Sequence, residues 1–323
     1  MKQVQNLIHD RPVMKRRNAN KVDVATEFIK NYPPLEESSI HGIELLDNYV
    51  SQENSVLYRF GKIILKFVTH DEDSPIDLFN KEIIVGLELN KLNNDNFVRT
   101  IGHFVDDRCR IPDLLDSISC TYLYLREIPG PTLTKFLISA SLPQFKAIML
   151  KLLKGYADAV KEFDFCHYDL HTDNVVITAV GDDLIPVIID FGAAHIKIFS
   201  QQIGEYMHIG QYWPEVGRYS DLSLWVHDIF KVFAFCWSRT HHLPQEVDIA
   251  THQQYRDNYD TLQQIAKFCR RVLSYFHKDI WRSSFLESFK RTNNEYWSVS
   301  VTEEGETASL EEFIRYYETL LAQ

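Results

Sequence analysis

A chain of 323 residues is long enough for two domains, or for one domain of two lobes, with real hydrophobic cores. With 45% hydrophobic and 24% charged residues, 12 Gly and 11 Pro, it has the composition of an ordinary soluble globular protein, not of a disordered or collagen-like chain. The formal charge of −11 argues against broad binding to nucleic acid or to an anionic membrane.

The N-terminal MKQVQNLIHDRP lacks the apolar run of a secretory signal, and no stretch of about 18 apolar residues suggests a membrane helix. Five cysteines (Cys109, Cys120, Cys166, Cys236 and Cys269) are odd in number, widely spaced and free of any CxxC pair. They predict reduced thiols in an intracellular, cytoplasmic compartment, with neither a disulfide framework nor a zinc site.

Residues 1–35 are polar, carry the cluster Lys15-Arg16-Arg17 and end at Pro33-Pro34, which marks an N-terminal extension and a boundary. The basic cluster is expected on a solvated surface. From Ile43 the pattern changes to short β-like segments: Ile43–Leu46, Ser55–Phe60 and Lys62–Val68, with Gly61 supplying a turn. The segment Ile76–Leu92 places Leu78, Ile83, Val85, Leu87, Leu89 and Leu92 at mostly helical spacings. Phe97–Ile101 and Thr121–Leu125 read as further strands. After Ile128-Pro-Gly-Pro131 an apolar stripe of Phe145, Met149, Leu152, Tyr156 and Val160 predicts a helix, with Pro143 in its first turn. Val175–Ile177 and Ile185–Ile189 flank a turn at Gly181–Asp183, and helical patterns alternate with polar loops from about Leu222 onward. Sheet first and helices later is an α+β arrangement.

The stretch His167-Tyr-Asp-Leu-His-Thr-Asp-Asn174, followed by Asp190-Phe-Gly192, carries the chemistry. It resembles the protein-kinase-like superfamily, through the pattern H-x-D-x-x-x-x-N and the D-F-G motif, separated by a short β-hairpin. The alternation of His167, Asp169, His171 and Asp173 also suits a zinc hydrolase, but that alternative leaves Asn174 and Asp190-Phe-Gly192 unexplained. The resemblance implies a bilobal fold, with a small β-rich lobe over residues 36–127, a mainly helical lobe over 128–323, and ATP between them. It assigns Asp169 to orienting the acceptor hydroxyl and His167 to bracing the loop by backbone hydrogen bonding. Asn174 and Asp190 supply the hard oxygen donors that Mg²⁺ prefers.

Upstream, Ile63-Ile-Leu-Lys66 is similar to the V-A-I-K strand, so Lys66 is expected to grip the ATP phosphates. Glu82 is its expected partner and Glu88 the alternative; the two do not share a helical face. The resemblance makes Leu125 the residue at the back of the nucleotide pocket, and Arg126, Glu127 and Ile128 the backbone that meets adenine. Trp213-Pro-Glu215 is similar to the end of an activation segment. Asp228 fits either a buried support for the loop or an ordinary acid at a helix start.

The chain also departs from the pattern. Tyr49, Ser51 and Asn54 stand where a glycine-rich phosphate loop has glycines, ahead of Val56, so Ser51, Asn54 and Val56 are the expected phosphate-loop contacts. Tyr168 replaces an arginine that in many kinases pairs with a phosphorylated loop. His171 replaces the lysine of typical Ser/Thr kinases; the D-L-H form resembles aminoglycoside-type small-molecule kinases and several divergent protein kinases. The resemblance implies a protein Ser/Thr kinase with a protein substrate, compact and divergent like those of large DNA viruses or bacterial effectors, and then located in a host cell. A small-molecule kinase and a pseudokinase scaffold are the competing readings. The aromatics Trp281, Tyr296, Trp297, Tyr316 and Tyr317 are expected in the core rather than against nucleic-acid bases.

Overall fold

The computed structural model describes residues 28–36, 49–52, 55–70, 76–107, 119–198, 225–241, 249–276 and 309–323. Lys15-Arg16-Arg17, the expected strand at 43–46, Asn54, Cys109, Trp213-Pro-Glu215, Trp281, Tyr296 and Trp297 lie outside the described residues.

Five strands form an antiparallel sheet: β1 (Tyr49–Gln52), β2 (Ser55–Phe60), β3 (Ile63–Thr69), β4 (Thr100–Asp106) and β5 (Cys120–Arg126), in the order β1-β2-β3-β5-β4. The turn between β2 and β3 holds Gly61 at φ +56°, a left-handed value that glycine takes without a Cβ clash. Strand alternation along β5 separates two clusters. Leu123 and Leu125 join the main core, while Cys120, Tyr122 and Tyr124 gather with Leu65 on the other side. Helix α1 (Ile76–Leu89) adds Phe79, Ile83, Ile84, Val85 and Leu89 to the main core. Gly86 permits its approach to β4, since a Cβ there would fall 2.1 Å from Thr100 Oγ1.

Helix α2 (Leu133–Leu137) precedes the long helix α3 (Leu142–Phe163). Ser141 and Gln144 close a capping box around the start of α3, Pro143 sits in its first turn, and Asp164 ends it in the left-handed region at φ 51°. Its predicted stripe is buried through Phe145, Met149, Leu152 and Tyr156, and half-buried at Val160. Strands β6 (Val175–Val180) and β7 (Asp183–Ile188) form a separate hairpin. Among the described residues four further helices follow: α4 (Trp225–His241), α5 (Ile249–Asp257), α6 (Tyr259–Leu273) and α7 (Leu310–Leu321). Rings of Trp225, Phe233, Phe268, Phe276, Phe313 and Tyr317 join α4, α6 and α7 at centroid distances of 4.9–6.5 Å. Tyr317 is therefore core, and Tyr316 is half-buried against it.

The class is α+β, with antiparallel sheets and several helices. Two local expectations change. Residues 49–52, expected in the phosphate loop, pair as β1, with Ser51 opposite Val56; Tyr49 and Val50 are residue types that favour strands. The strand expected at Phe97 starts only at Thr100. Phe97 instead makes a single parallel bridge to Ile188 and packs its ring against Phe165 and Phe191 at 5.5 and 6.4 Å. Burying that ring draws its neighbours toward β7: Val98 N–H donates to Ile188 O at 2.9 Å, and Ile188 N–H to Asn96 O at 2.7 Å.

The segment 28–36 is held on the sheet side. Tyr32 Oη donates to the Glu88 carboxylate, and Leu35 N–H donates to His103 O at 2.8 Å. Among the described residues, Cys120, Cys166, Cys236 and Cys269 are buried free thiols. No helix among them is long and apolar enough to cross a membrane.

Candidate active site

Three elements deliver side chains to one point. Lys66 projects from β3, Glu82 from the middle of α1, and Asp190 from the turn after β7. Lys66 Nζ lies 2.6 Å from Glu82 Oε1 and 2.9 Å from Asp190 Oδ1. Burial alone would lower the Lys66 ammonium, but the charges of Glu82 and Asp190 outweigh it and hold the pKa above the usual lysine range. Burial acts against Asp190 as well, yet Lys66 prevails there and keeps the carboxyl below the usual range. For Glu82 burial is the larger effect and pushes the carboxyl up, with Lys66 opposing it.

Glu88 is not part of this cluster. Its buried carboxylate receives the Tyr32 hydroxyl and pairs with Lys91 Nζ at 2.5 Å. The two glutamates thus have separate partners, as their different helical faces require.

The second group sits in the loop between α3 and β6. His167 donates from Nε2 to Ile189 O at 2.9 Å, and its Nδ1 accepts from Asp169 N–H at 3.3 Å. Asn174 Nδ2 donates to Asp169 O at 3.0 Å, and Ile189 N–H donates to Asn174 O at 3.0 Å. These bonds hold Asp169 and Asn174 beside the residue preceding Asp190. Cys166 and His195 exchange both backbone hydrogen bonds, at 3.0 and 2.7 Å, and so attach the loop to the segment beyond Asp190.

Tyr168 and Asp190 adopt φ values of +61° and +65°. Such conformations cost roughly 1 kcal/mol or more for a bulky residue and persist where the surroundings enforce them. Tyr168 is fully buried, so at the position of the missing arginine it serves as a core residue.

Below the loop, the buried Asp228 of α4 settles the choice left open by the sequence. Its Oδ2 accepts from His167 N–H at 2.5 Å, Tyr156 Oη at 2.5 Å and Cys166 Sγ at 3.3 Å. Burial, and then the Asp228 charge, push both the Tyr156 phenol and the Cys166 thiol well above their usual ranges, so both stay protonated as donors.

Lys231, which sequence reasoning missed, places Nζ 2.5 Å from Asp169 Oδ1. The available signal was its position one helical turn beyond Asp228, on the same face of α4. Phe235 and Arg239 continue that face, with Phe235 stacked on His171 at 5.4 Å and Arg239 Nη2 3.6 Å from Asp173 Oδ2.

Leu125 is buried at the end of β5, opposite Ile64 of β3. The backbone after it is partly committed. Arg126 N–H donates to Arg99 O at 2.9 Å, and Glu127 N–H to Lys62 O at 2.8 Å; the Glu127 side chain pairs with Arg59 at 2.6 Å. Ile128 is half-buried against the main core. Ser51 and Val56 are register partners in the backbone pairing of β1 with β2. Among the described residues, no three His, Cys, Asp or Glu side chains gather around a common metal position.

No family model matches the sequence. Over 170 residues the chain is 28% identical to "Probable kinase 098L" of Invertebrate iridescent virus 3, a match covering 47% of this chain. The same match covers 30% of the viral protein, less than a third of that protein's length. The chain is thus similar to one part of a viral protein that is named a probable kinase.

Proposed function

We propose that this protein is an ATP- and Mg²⁺-dependent phosphotransferase of the protein-kinase-like superfamily, acting on a Ser or Thr hydroxyl of a protein substrate inside the cell. The observation that carries this reading is the Lys66–Glu82–Asp190 cluster, joined through Ile189 to the loop of His167, Asp169 and Asn174. A buried lysine kept protonated between two carboxylates suits binding of phosphate oxygens. The small lobe would span residues 36–127 and the large lobe 128–323, with the nucleotide between them and adenine against the backbone at 126–128.

The donor set fits Mg²⁺. Asp190 is ionised and partly exposed, and Asn174 adds an amide on the adjoining loop. Asp169 and Asp190, two carboxylates that stay partly exposed, border the site. A triphosphate needs a cation to enter such surroundings. Asp190 and Asn174 would hold the metal, which supplies charge neutralisation for the phosphoryl group when bound. Asp169 would orient the acceptor hydroxyl, and His167 would fix the loop.

His171 favours a second reading, transfer to a small molecule. Burial, with Lys231 adding to it, holds this imidazole below its usual pKa despite Asp169 and Asp173, so the loop position of the usual lysine carries a neutral ring.

The test is transfer of label from γ-labelled ATP with Mg²⁺, using wild type and Asp190→Ala against generic proteins and a panel of small hydroxyl compounds. Label on protein that disappears in the variant is the expected result. Label on a small molecule alone would move the assignment to a metabolite kinase. No label on any acceptor would overturn the phosphotransferase reading in favour of a pseudokinase scaffold.

A further inference from the structure

The loop from Cys166 to Asn174 lies along one face of α4, and each of four residues on that face meets a different part of it. Asp228 takes the His167 N–H, Lys231 the Asp169 carboxylate, Phe235 the His171 ring and Arg239 the Asp173 carboxylate. Three of these contacts are ordinary fastenings, a buried acceptor, a stacked ring and a longer ion pair. Lys231 is different. Its side chain is 5% exposed, so its ammonium has been withdrawn from water, yet its partner Asp169 is 43% exposed.

That arrangement is a poor device for stability. The half-exposed carboxylate would be well solvated without the lysine, whereas the lysine bears the full penalty of desolvation. A charge buried at such expense and aimed at a side chain of the site has its benefit in the reaction. The other oxygen of Asp169 is approached less closely, by His171 Nε2 at 3.7 Å from Oδ2.

We infer that Lys231 is a positioning residue for phosphoryl transfer, a helix lysine that reaches from α4 to grip Asp169 Oδ1 and fixes the carboxylate plane. The inference rests on the phosphotransferase reading. In the step, the acceptor oxygen forms a bond to the γ-phosphorus as the bond to the β–γ bridging oxygen breaks. ADP leaves with that electron pair, and the hydroxyl proton passes to Asp169 Oδ2. Lys231 neither gains nor loses a proton; it keeps Oδ1 occupied, so that one oxygen of Asp169 is presented to the hydroxyl.

The experiment compares wild type, Lys231→Met, Lys231→Arg, Asp169→Asn and the Lys231→Met/Asp169→Asn double variant. It measures kcat, KM for ATP, and thermal stabilisation by Mg·ATP. Lys231→Met should lower kcat by about 30-fold or more, with KM for ATP within about threefold and nucleotide stabilisation retained. Lys231→Arg should recover most of the loss. In the Asp169→Asn background, Lys231→Met should cost no more than about twofold further, because its route of action is already gone.

Wild-type kcat in Lys231→Met, or full additivity with Asp169→Asn, would overturn the inference while leaving the phosphotransferase reading intact. Equal losses in the Met and Arg variants that follow a fall in melting temperature would also overturn it, by showing a merely structural pair. Lys231→Gln provides the same comparison should the Met variant fold poorly. A wild type that transfers to no acceptor would remove the phosphotransferase reading and this inference with it.

Discussion

The two ion-paired groups at the site are built in opposite senses. Around Lys66 one buried cation serves two carboxylates, drawn from a strand, a helix and a turn; around Asp169 one half-exposed carboxylate is served by a buried lysine from a distant helix. The first arrangement keeps a cation charged where burial would neutralise it. The second grips a carboxylate that stays 43% exposed. Their partners differ in reach as well, since Lys66 and Glu82 are 16 residues apart whereas Asp169 and Lys231 are 62 apart. Lys66 is thus secured from two sides, whereas Asp169 is gripped by one lysine and stays partly exposed.

The sharpest way to break this comparison is to remove the centre of the first group. Lys66→Met and Asp190→Ala should each reduce transfer by about 10³-fold or more, since each deletes a charge that faces the phosphates directly. Steady-state kinetics on the purified variants checks this, and activity within tenfold of wild type in either would contradict the assignment.

The Asp228 network should give the largest stability effect on the loop side. Asp228→Asn leaves a buried amide where a carboxylate accepts from His167, Tyr156 and Cys166. A loss of roughly 2–4 kcal/mol is expected in denaturant unfolding, in the range seen when buried charged networks are broken. An unchanged midpoint would mean that the loop is held by other contacts.

Within α1 the two glutamates provide an internal control. Glu82→Gln should lower kcat by about 10- to 100-fold, because Lys66 loses one of its two anchors. Glu88→Gln should leave kcat within about threefold and act on stability instead, by roughly 1 kcal/mol, through Tyr32 and Lys91. Reversal of these two outcomes would mean that the wrong glutamate has been assigned to Lys66.

These contrasts follow what was legible in the sequence. Strand alternation and helical spacing marked β2, β3, β5, α1 and α3 within a residue or three of their ends. The loop before β2 was harder. A segment without glycines looked like irregular backbone, yet it pairs as β1. Phe97 was misread as strand because its apolar run serves ring packing and one bridge to β7. The Lys66–Glu82 pair lies within one strand and the following helix, where the resemblance to the kinase-like pattern could propose it, while choosing between Glu82 and Glu88 required the helix face. Lys231 left no local signature, because its partner is fixed by how α4 lies under the loop.

The smallest expected effect concerns pH. Burial holds His171 neutral, so the folded protein binds a proton there less readily than the unfolded chain does. Stability from this residue is present above the ordinary histidine pKa of about 6.5 and declines as pH falls below it. His171→Gln should therefore flatten the fall in melting temperature between about pH 7 and pH 5. Part of the slope should remain, because His70 and His103 are also held below the usual range by burial. An identical slope in the variant would show that His171 is not the neutral ring described above.

The most direct measurement of the central claim is calorimetric titration of ATP into the wild-type protein, with Mg²⁺ and then with EDTA. Because Asp169 and Asp190 stay partly exposed and would repel an incoming triphosphate, the account predicts binding with Mg²⁺ that is lost in EDTA, with a weaker metal dependence in Asp190→Asn. ATP that binds equally tightly in EDTA, or shows no binding in either condition, would contradict it.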